Sequence, residues 1–421
     1  MSFRTTLSGL NAAQTDLNVT GNNIANAGTN GFKSSRAEFA DVYATSLGGV
    51  SNTAVGGGVR LARVAQEFAQ GNIEFTNSRL DLAVNGEGFY VLDDNGSQVF
   101  TRAGAFSIDR DGYVVNSSGQ TLQVFEPIGN SSTEFNTGSL SDLRISLGEG
   151  APNATSTVDV AMNMDSGDPS AGAVGAFNPT DPTTYNYSTS YTVYDSQGAA
   201  HTATMYFLKD NAANNTWHTW LYADNGTAMT NITQGGGTAY STLVYNADGS
   251  IATVNGGAAT ALTYDNLPMT SGASPLALTV DYADMTQYGG DYSVNSLFQD
   301  GYATGRLTGL DISHTGVVSA RYTNGQSTAL GKVALASFAN IQGLRQLGDT
   351  NWAETFSSGG AVIGEAGTAS FGLVQSGALE ASNVDIAEQL IALITAQRNF
   401  QANSQVITTA DTITQTIINI R

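Results

Sequence analysis

The last forty residues constrain the fold of this chain more than any other stretch. Apolar side chains recur there at intervals of about 3.5 residues, at Ile386, Leu390, Leu393, Phe400, Ile407 and Ile417. This spacing is typical of a long helix that packs against a partner helix. No Pro or Gly interrupts residues 382–421, and Ser382 or Asn383 is expected to cap the helix, with Asp385 in its first turn.

The first residues of the chain carry the same pattern. Phe3, Leu10, Leu17 and Ile24 are seven residues apart, Leu7 lies between them, and Asn26 precedes a helix-ending Gly28. The two terminal helices are therefore expected to pair like a coiled coil, and other copies of the chain to cover the apolar surface that remains.

The C-terminal helix is rich in β-branched residues in its second half, VITTADTITQTIINI. Such residues lose rotamer freedom in a helix. The hypothesis is that both ends stay unfolded in the single chain and become ordered only on assembly.

Residues 31–71 are predicted to form a connector. Five glycines, Gly48, Gly49, Gly56, Gly57 and Gly58, are expected to act as a hinge within it. A phosphate-binding loop is the alternative interpretation, but neither GxxxxGK[ST] nor a strand-GxGxxG-helix context surrounds these glycines.

From Asn72 the apolar pattern changes to a period of two, which predicts antiparallel strands. Asp94-Asn95-Gly96 and the run from Asp109 to Gly112 predict hairpin turns. The second run resembles part of a calcium loop, but position twelve of such a loop, which should be Glu, is Gln120.

A second, acidic β-region follows, in which Lys209 is the only basic residue between Arg144 and Arg306. Short alternating runs separated by Asn-Gly and Asp-Gly turns predict a barrel or sandwich. The expected fold is mainly β with terminal α-helices. The predicted divisions are a terminal helical assembly domain (1–30 and 382–421), the connector, an inner β-domain (72–147 and 301–381) and an inserted acidic outer β-domain (148–300).

Charge and composition exclude several function classes. The net charge of −20 argues against nucleic-acid binding, and the absence of cysteine excludes disulfides and thiolate chemistry. Neither a signal-peptide pattern nor an 18-residue apolar run is present, which predicts a protein that does not insert into membranes and is either cytoplasmic or exported without a cleaved signal.

No pattern of catalytic, cofactor-binding or metal-ligating residues emerges. His201, His218 and His314 each lack a second His or a carboxylate at ligand spacing, so solvated or packed imidazoles are expected. Trp217 and Trp220 with nearby tyrosines could form a sugar platform, but alternating aromatic residues are more typical of a strand core. Scattered carboxylates leave a glycosidase pair open. The chain is expected not to be an enzyme.

Four segments resemble bacterial flagellar axial proteins. Residues 8–33 and 377–420 resemble the terminal signatures of that family, and residues 82–92 and 101–123 are similar to the β-domain shared by its rod and hook members. The large acidic insertion matches no motif, and its presence favours the hook members over the distal rod protein.

The resemblance implies a subunit of a homopolymer, the flagellar hook, a curved flexible tube that acts as a universal joint and transmits motor torque to the filament. It also implies contacts with rod, hook-cap and hook–filament junction proteins, export through the flagellar type III apparatus, and an extracellular location. The alternatives are a distal rod or hook-junction axial protein and, outside the family, a secreted carbohydrate-binding or carbohydrate-cleaving β-protein.

Overall fold

A computed structural model describes residues 2–42, 56–129, 131–146, 148–211, 213, 215–234, 237–258, 260–368 and 370–419, without the side chains of Ser2 and Ile417. Two long helices lie at the ends of this chain, α1 (Ser2–Ala25) and α2 (Ile386–Asn419). Gly48 and Gly49 of the predicted hinge lie outside the described residues.

Helix α2 begins later than the sequence suggested, because its cap is Asp385. The Asp385 carboxylate accepts hydrogen bonds from the amides of Ala387 (2.8 Å) and Glu388 (3.3 Å), as an N-cap does. Asn383 is engaged elsewhere: its side chain accepts from Ser34 N and donates to Glu67 O. The expected cap at Ser382 or Asn383 was wrong because tertiary contacts occupy the Asn383 amide.

Strands make up most of the remaining chain. Those before residue 148 are β1 (Ser35–Asp41), β2 (Val59–Gln66), β3 (Ile73–Phe75), β4 (Leu82–Asn85), β5 (Phe89–Asp94), β6 (Ser97–Thr101), β7 (Ser107–Ile108), β8 (Val114–Val115), β9 (Thr121–Phe125) and β10 (Ser141–Asp142). The middle of the chain forms β11 (Thr157–Asp165), β12 (Tyr187–Tyr194), β13 (Ala200–Lys209), β14 (Thr216–Asp224), β15 (Met229–Asn231), β16 (Ser241–Tyr245), β17 (Ile251–Val254), β18 (Ala261–Thr263), β19 (Thr279–Asp281), β20 (Thr286–Tyr288) and β21 (Ser293–Gln299). The last group is β22 (Leu307–Ile312), β23 (Val317–Tyr322), β24 (Ser327–Ser337), β25 (Arg345–Gly348), β26 (Asn351–Ala353), β27 (Val362–Glu365), β28 (Leu373–Ser376) and β29 (Ala378–Glu380). Short 3-10 turns lie at Val174–Ala176, Pro182–Thr184 and Ile341–Gly343.

The chain divides into two compact units. The first contains residues 1–147, 308–321 and 327–421, and the second contains residues 148–307 and 322–326. A mainly β chain with terminal helices and several sheets confirms the predicted fold class, whereas the coiled-coil geometry of the helices stays a prediction, as does the finer division of the first unit.

The first unit is built on one large sheet with the order β22-β23-β24-β9-β5-β6-β26-β25. Its buried aromatic residues pack together, with the Phe100 and Phe338 ring centres 4.8 Å apart. The predicted turn at Asp94-Asn95-Gly96 joins β5 and β6, and Asn95 and Gly96 both have positive φ, as a type I′ turn requires. Two short ladders, β3–β29 and β4–β28, join early strands to late ones.

The second unit contains two sheets around one apolar core. One has the order β12-β13-β14-β16-β17, the other β18-β19-β11-β20 with β21 also paired to β11. Most pairs are antiparallel as predicted, but β11 runs parallel to β19 and to β20. The long stretch of chain between β11 and β19 lets both strands enter the sheet in the same direction.

The segment predicted as a connector contains an unpredicted two-stranded ribbon. Strands β1 and β2 pair antiparallel along their whole length, with a bulge near Glu38 and Phe39. The alternation of apolar and polar residues in this stretch is weak, because the exposed face of the ribbon contains both apolar and charged residues. A two-stranded ribbon is marginal by itself, and this one lies against α1.

Candidate assembly interface

The terminal helices pack against each other in antiparallel orientation. Asn23, near the end of α1, donates a hydrogen bond of 3.1 Å to Gln389, near the start of α2. Two heptads away on each helix, Gly9 faces Asn403 so closely that a Cβ added to Gly9 would lie 2.8 Å from the Asn403 side-chain oxygen. Hydrogen-bonded amides and a glycine thus set the register of the pair.

Small and polar side chains occupy the most buried positions of this helix pair. Thr6, Ala13 and Thr20, seven residues apart on α1, are buried, and Ala396 on α2 is fully buried. Small residues let two helix backbones approach closely. The predicted interface consists of the larger side chains of the seams and leaves out this row, although the row shares their heptad spacing.

The predicted seam residues divide into two groups. The first group is half-buried and consists of Leu10, Leu17, Ile24, Leu393, Phe400 and Ile407. The second group is exposed and consists of Phe3, Leu7, Ile386 and Leu390. The side chain of Ile417 lies outside the described atoms. The assembly role of all these residues stays a prediction.

Further apolar side chains on α2 also face solvent. Ile391 is 68% exposed, and Ile394, Val406, Ile413 and Ile418 are exposed as well. A helix that displays apolar residues on more than one face is normally covered by protein or lipid. None of the described helices is long and apolar enough to cross a membrane.

The end of α2 extends beyond its partner helix. The register places the start of α1 beside residue 410, and every described side chain from 411 to 419 is exposed. At a rise of roughly 1.5 Å per residue, this overhang is about 13 Å long. It includes Thr412, Ile413 and Thr416, which are part of the β-branched run.

The ribbon of β1 and β2 is tied to α1 at both ends. Asn23 exchanges two hydrogen bonds with the backbone of Ser35, and the Ser8 hydroxyl accepts one from Val59 N. Gly57 and Gly58 bond to the backbone of Val42 and so close the ribbon. Gly58 has a positive φ and lies against Ser8, whereas a Cβ added to Gly56 would have no described atom within 4 Å apart from its chain neighbours.

A buried ion cluster joins the helix pair to the β-structure of the first unit. Glu380 accepts from Lys33 Nζ at 2.5 Å and from an Arg102 guanidinium nitrogen at 3.3 Å, and all three side chains are nearly inaccessible. Glu380 also accepts a hydrogen bond from Gly71 N, and Lys33 Nζ also donates one to Ala69 O. Burial lowers the pKa of Lys33, and the Glu380 carboxylate offsets only part of this effect.

Two of the three histidines have carboxylate partners in the second unit. His201 lies 3.2 Å from Asp195, and His218 lies 3.1 Å from Asp210. Both imidazoles are buried, and a turn or hairpin folds each one beside its carboxylate. Among the described residues, no group of three or more His, Asp or Glu side chains is arranged to hold a metal ion.

The two tryptophans of the candidate sugar platform are both covered. Trp217 is fully buried in the core of the second unit. Trp220 stacks on Phe177, with ring centres 4.0 Å apart and an angle of 12° between the planes. The ring face that a sugar would use on Trp220 is therefore occupied by the chain itself.

Comparison with protein families matches four separate stretches of the sequence. Residues 3–33 match the family described as "Flagella basal body rod protein", and residues 83–161 match "Flagellar hook protein FlgE/F/G D1 domain". Residues 162–302 match "Flagellar basal body protein FlaE D2 domain", and residues 375–420 match "Flagellar basal body rod FlgEFG protein C-terminal". No motif was identified in the acidic insertion from the sequence alone, but most of it is matched by a family model.

Whole-chain relatives agree with these matches. The chain is 38% identical to the flagellar hook protein FlgE of Escherichia coli (strain K12) over all of both chains. It is 34% identical to the flagellar hook protein FlgE of Borreliella burgdorferi, with 99% of this chain and 98% of that protein covered. The crystal structure of Helicobacter pylori flagellar hook protein FlgE2 covers 73% of this chain and is itself fully covered, with a TM-score of 0.55 at 15% sequence identity. That structural likeness shows a shared fold.

Proposed function

The chain belongs to the flagellar hook protein family, and on this premise we propose that it is a structural subunit that polymerises into the hook and buries its terminal helices between copies. The observation that carries the proposal is the set of exposed apolar side chains along α1 and α2, from Phe3 to Ile418. Their exposure in the single chain is unfavourable by about 25 cal/mol per Å² of apolar surface. Neighbouring copies in a polymer remove that surface from water.

Each division of the chain has a mechanical role in this proposal. The helices hold the tube together along its axis, while the β-domains slide past those of neighbouring copies as the curved tube rotates. The hook thereby acts as a universal joint that transmits motor torque to the filament. The glycines of the predicted hinge, Gly48, Gly49, Gly56, Gly57 and Gly58, would allow the helices to reorient against the β-domains.

We further propose that the chain is not an enzyme and that it contacts rod, hook-cap and hook–filament junction proteins. It reaches the extracellular hook through the flagellar type III export apparatus. Low intrinsic helicity in the β-branched half of α2 supports export in an unfolded state.

A distal rod or hook-junction protein is the nearest alternative. The full-length alignments to hook proteins favour the hook, since they include the acidic insertion. The carbohydrate-binding alternative loses its main support, because Trp217 is buried and Trp220 is covered.

A single charged residue on the exposed helix face tests the proposal. Ile391→Asp places a carboxylate at a 68% exposed site, so the isolated chain should fold as before. Burial of an unpaired carboxylate between copies is strongly unfavourable, so this variant should not form tubes in electron micrographs.

Ile128→Asp is the matched control, because it introduces the same change at a 55% exposed site away from both helices. It should still form curved tubes. Equal tube formation by the two variants would contradict the proposal, and straight tubes from the unsubstituted chain would favour the rod alternative.

A further inference from the structure

Helix α2 carries a single cation on the same face as its exposed isoleucines. Arg398 follows Ile394 by four residues and Ile391 by seven, so the three side chains lie on one face of the helix. All three side chains are exposed. Ala396, two residues before Arg398, is fully buried, and residues two apart point to nearly opposite sides of a helix. The Arg398 face is therefore the outer face of α2, away from α1.

The Arg398 guanidinium has no partner in the part of the chain that the structure describes, because its side chain forms neither an ion pair nor a hydrogen bond there. The proposed function buries the face of Ile391 between copies, and Arg398 is buried with it. Removing an unpaired cation from water is strongly unfavourable. The neighbouring copy must therefore supply an anion.

The described helices contain three carboxylates, Asp16, Glu388 and Asp411. Asp16 is half-buried beside α2 of its own chain, which limits access from another copy. Glu388 lies in the first turn of α2, where the positive end of the helix dipole already stabilises a negative charge. Asp411 is exposed at the start of the overhang, and its side chain has neither an ion pair nor a hydrogen bond among the described residues. Asp411 is thus the carboxylate best placed to receive a cation from another copy.

We propose that Arg398 of one copy forms an ion pair with Asp411 of the next copy, and that this pair fixes the stagger between their C-terminal helices. The inference rests on the proposed function, which supplies the second copy. The two residues are thirteen positions apart, so parallel copies of α2 bring them together when shifted along the helix axis by about 20 Å. The same shift places residues 398–406 of one copy beside residues 411–419 of the other. The overhang, which extends beyond α1 of its own chain, thereby gains a neighbouring helix.

The positions of the two charges around α2 make this contact propagate. Thirteen residues turn an α-helix by about 140° beyond full turns, so Arg398 and Asp411 lie on different sides of α2. Each copy therefore contacts one neighbour through Arg398 and another through Asp411. Such a head-to-tail contact builds a continuous assembly instead of closing into a dimer.

Charge reversal tests the ion pair. Arg398→Glu or Asp411→Arg alone places two like charges together at each contact, and each should raise the concentration needed for polymerisation about a hundredfold or more. A chain with both substitutions should polymerise close to the original concentration. The two sites are too far apart on one helix to pair within a chain, so this recovery reports on contact between copies. Both sites are exposed, so the unfolding temperature of the monomer should not change in any of these variants.

Mixing the two single variants gives a second measurement. Arg398→Glu chains and Asp411→Arg chains should each remain monomeric alone at the original concentration. An equal mixture should polymerise, because every contact between unlike chains again joins opposite charges. A mixture that stays monomeric would overturn the inference.

Glu388→Arg is the control for Asp411→Arg, since it makes the same charge change at another exposed carboxylate of α2. Combined with Arg398→Glu it should not restore polymerisation, and recovery would overturn the assignment to Asp411. Single variants that polymerise at the original concentration would overturn the inference and leave the proposed function intact. Failure of the unsubstituted chain to polymerise would overturn the proposed function and this inference together.

Discussion

Lys33 and Glu380 are separated by 347 positions in the sequence, yet the Lys33 Nζ and Glu380 Oε1 atoms lie 2.5 Å apart in the interior of the first unit. Arg102 contacts the other carboxylate oxygen of Glu380. The cluster ties the segment between α1 and β1, the residue after β6 and the end of β29 together. It therefore forms only when the late part of the chain has returned to the early part.

Glu380→Gln is expected to destabilise the first unit by about 3–5 kcal/mol, because it leaves two buried cations without an anion. Urea unfolding followed by tryptophan fluorescence measures this change through the buried Trp352. Asp111→Asn is the control: its ion pair with Arg110 is exposed, so the change should stay within about 0.5 kcal/mol. Equal effects of the two substitutions would contradict the structural role of the cluster.

Two glycines of α1 provide a matched test of the helix pair. Gly9→Leu should disrupt packing against Asn403 and weaken helix pairing by about 1–3 kcal/mol. Gly21 is exposed and a Cβ added to it would have no neighbour within 4 Å, so Gly21→Leu should instead favour the helix by about 0.8 kcal/mol. Polymerisation assays should show loss of tubes for the first variant only. If both variants polymerise equally well, the close approach at Gly9 is not required.

Hydrogen exchange tests whether the helices are ordered before assembly. In the monomer, amides of residues 1–30 and 385–421 should exchange rapidly, because weak helical propensity and little apolar burial leave these ends poorly protected. The same amides should become protected in the tube, while the β-strands are protected in both states. Slow exchange at both ends of the monomer would refute folding on assembly.

Two core tyrosines of the second unit differ in their hydrogen bonds. The Tyr264 hydroxyl lies 2.6 Å from that of Tyr282, whereas the buried Tyr245 hydroxyl has no hydrogen-bond partner among the described residues. Tyr264→Phe should cost about 1–2 kcal/mol, and Tyr245→Phe should be neutral or stabilising. Denaturant unfolding of both variants measures the difference. A larger loss for Tyr245→Phe would mean that its hydroxyl has a partner.

The same buried tyrosines predict alkaline unfolding. Burial raises the pKa of Tyr245, Tyr264 and Tyr282 above the value of about 10 found in unfolded chains. Above that pH the unfolded state releases protons that the folded state retains, so stability is fully present below pH 10 and falls as the pH rises further. Absorbance at 295 nm should show these tyrosines ionising together with loss of structure. Their ionisation in a still folded chain would contradict this prediction.

Local sequence patterns were sufficient for much of the secondary structure. The antiparallel strands β5 and β6 and the turn at Asn95-Gly96 that joins them follow from alternation and turn chemistry, which act between neighbouring residues. Both helices follow from a heptad repeat of large apolar side chains. The ribbon of β1 and β2 was missed, because its strands are stabilised by α1 more than by their own pattern.

Only part of the candidate interface could be predicted from the sequence. Heptad spacing identified the helix faces near Leu393 and Phe400, but it gave no reason to select Thr6, Ala13 or Gly9 as the closest contacts. Small residues carry no hydrophobic signal, and their importance comes from the distance between two backbones.

The sequence by itself determined the mainly β fold and the helices at both ends, because periodicity and turn residues act over a few positions. Only the tertiary structure decided the cap at Asp385, the parallel strand pairs of β11 and the cluster of Lys33, Arg102 and Glu380. Each of these depends on groups that the chain brings together from distant positions. Their free energies arise from burial and charge pairing in three dimensions, which a local sequence pattern does not determine.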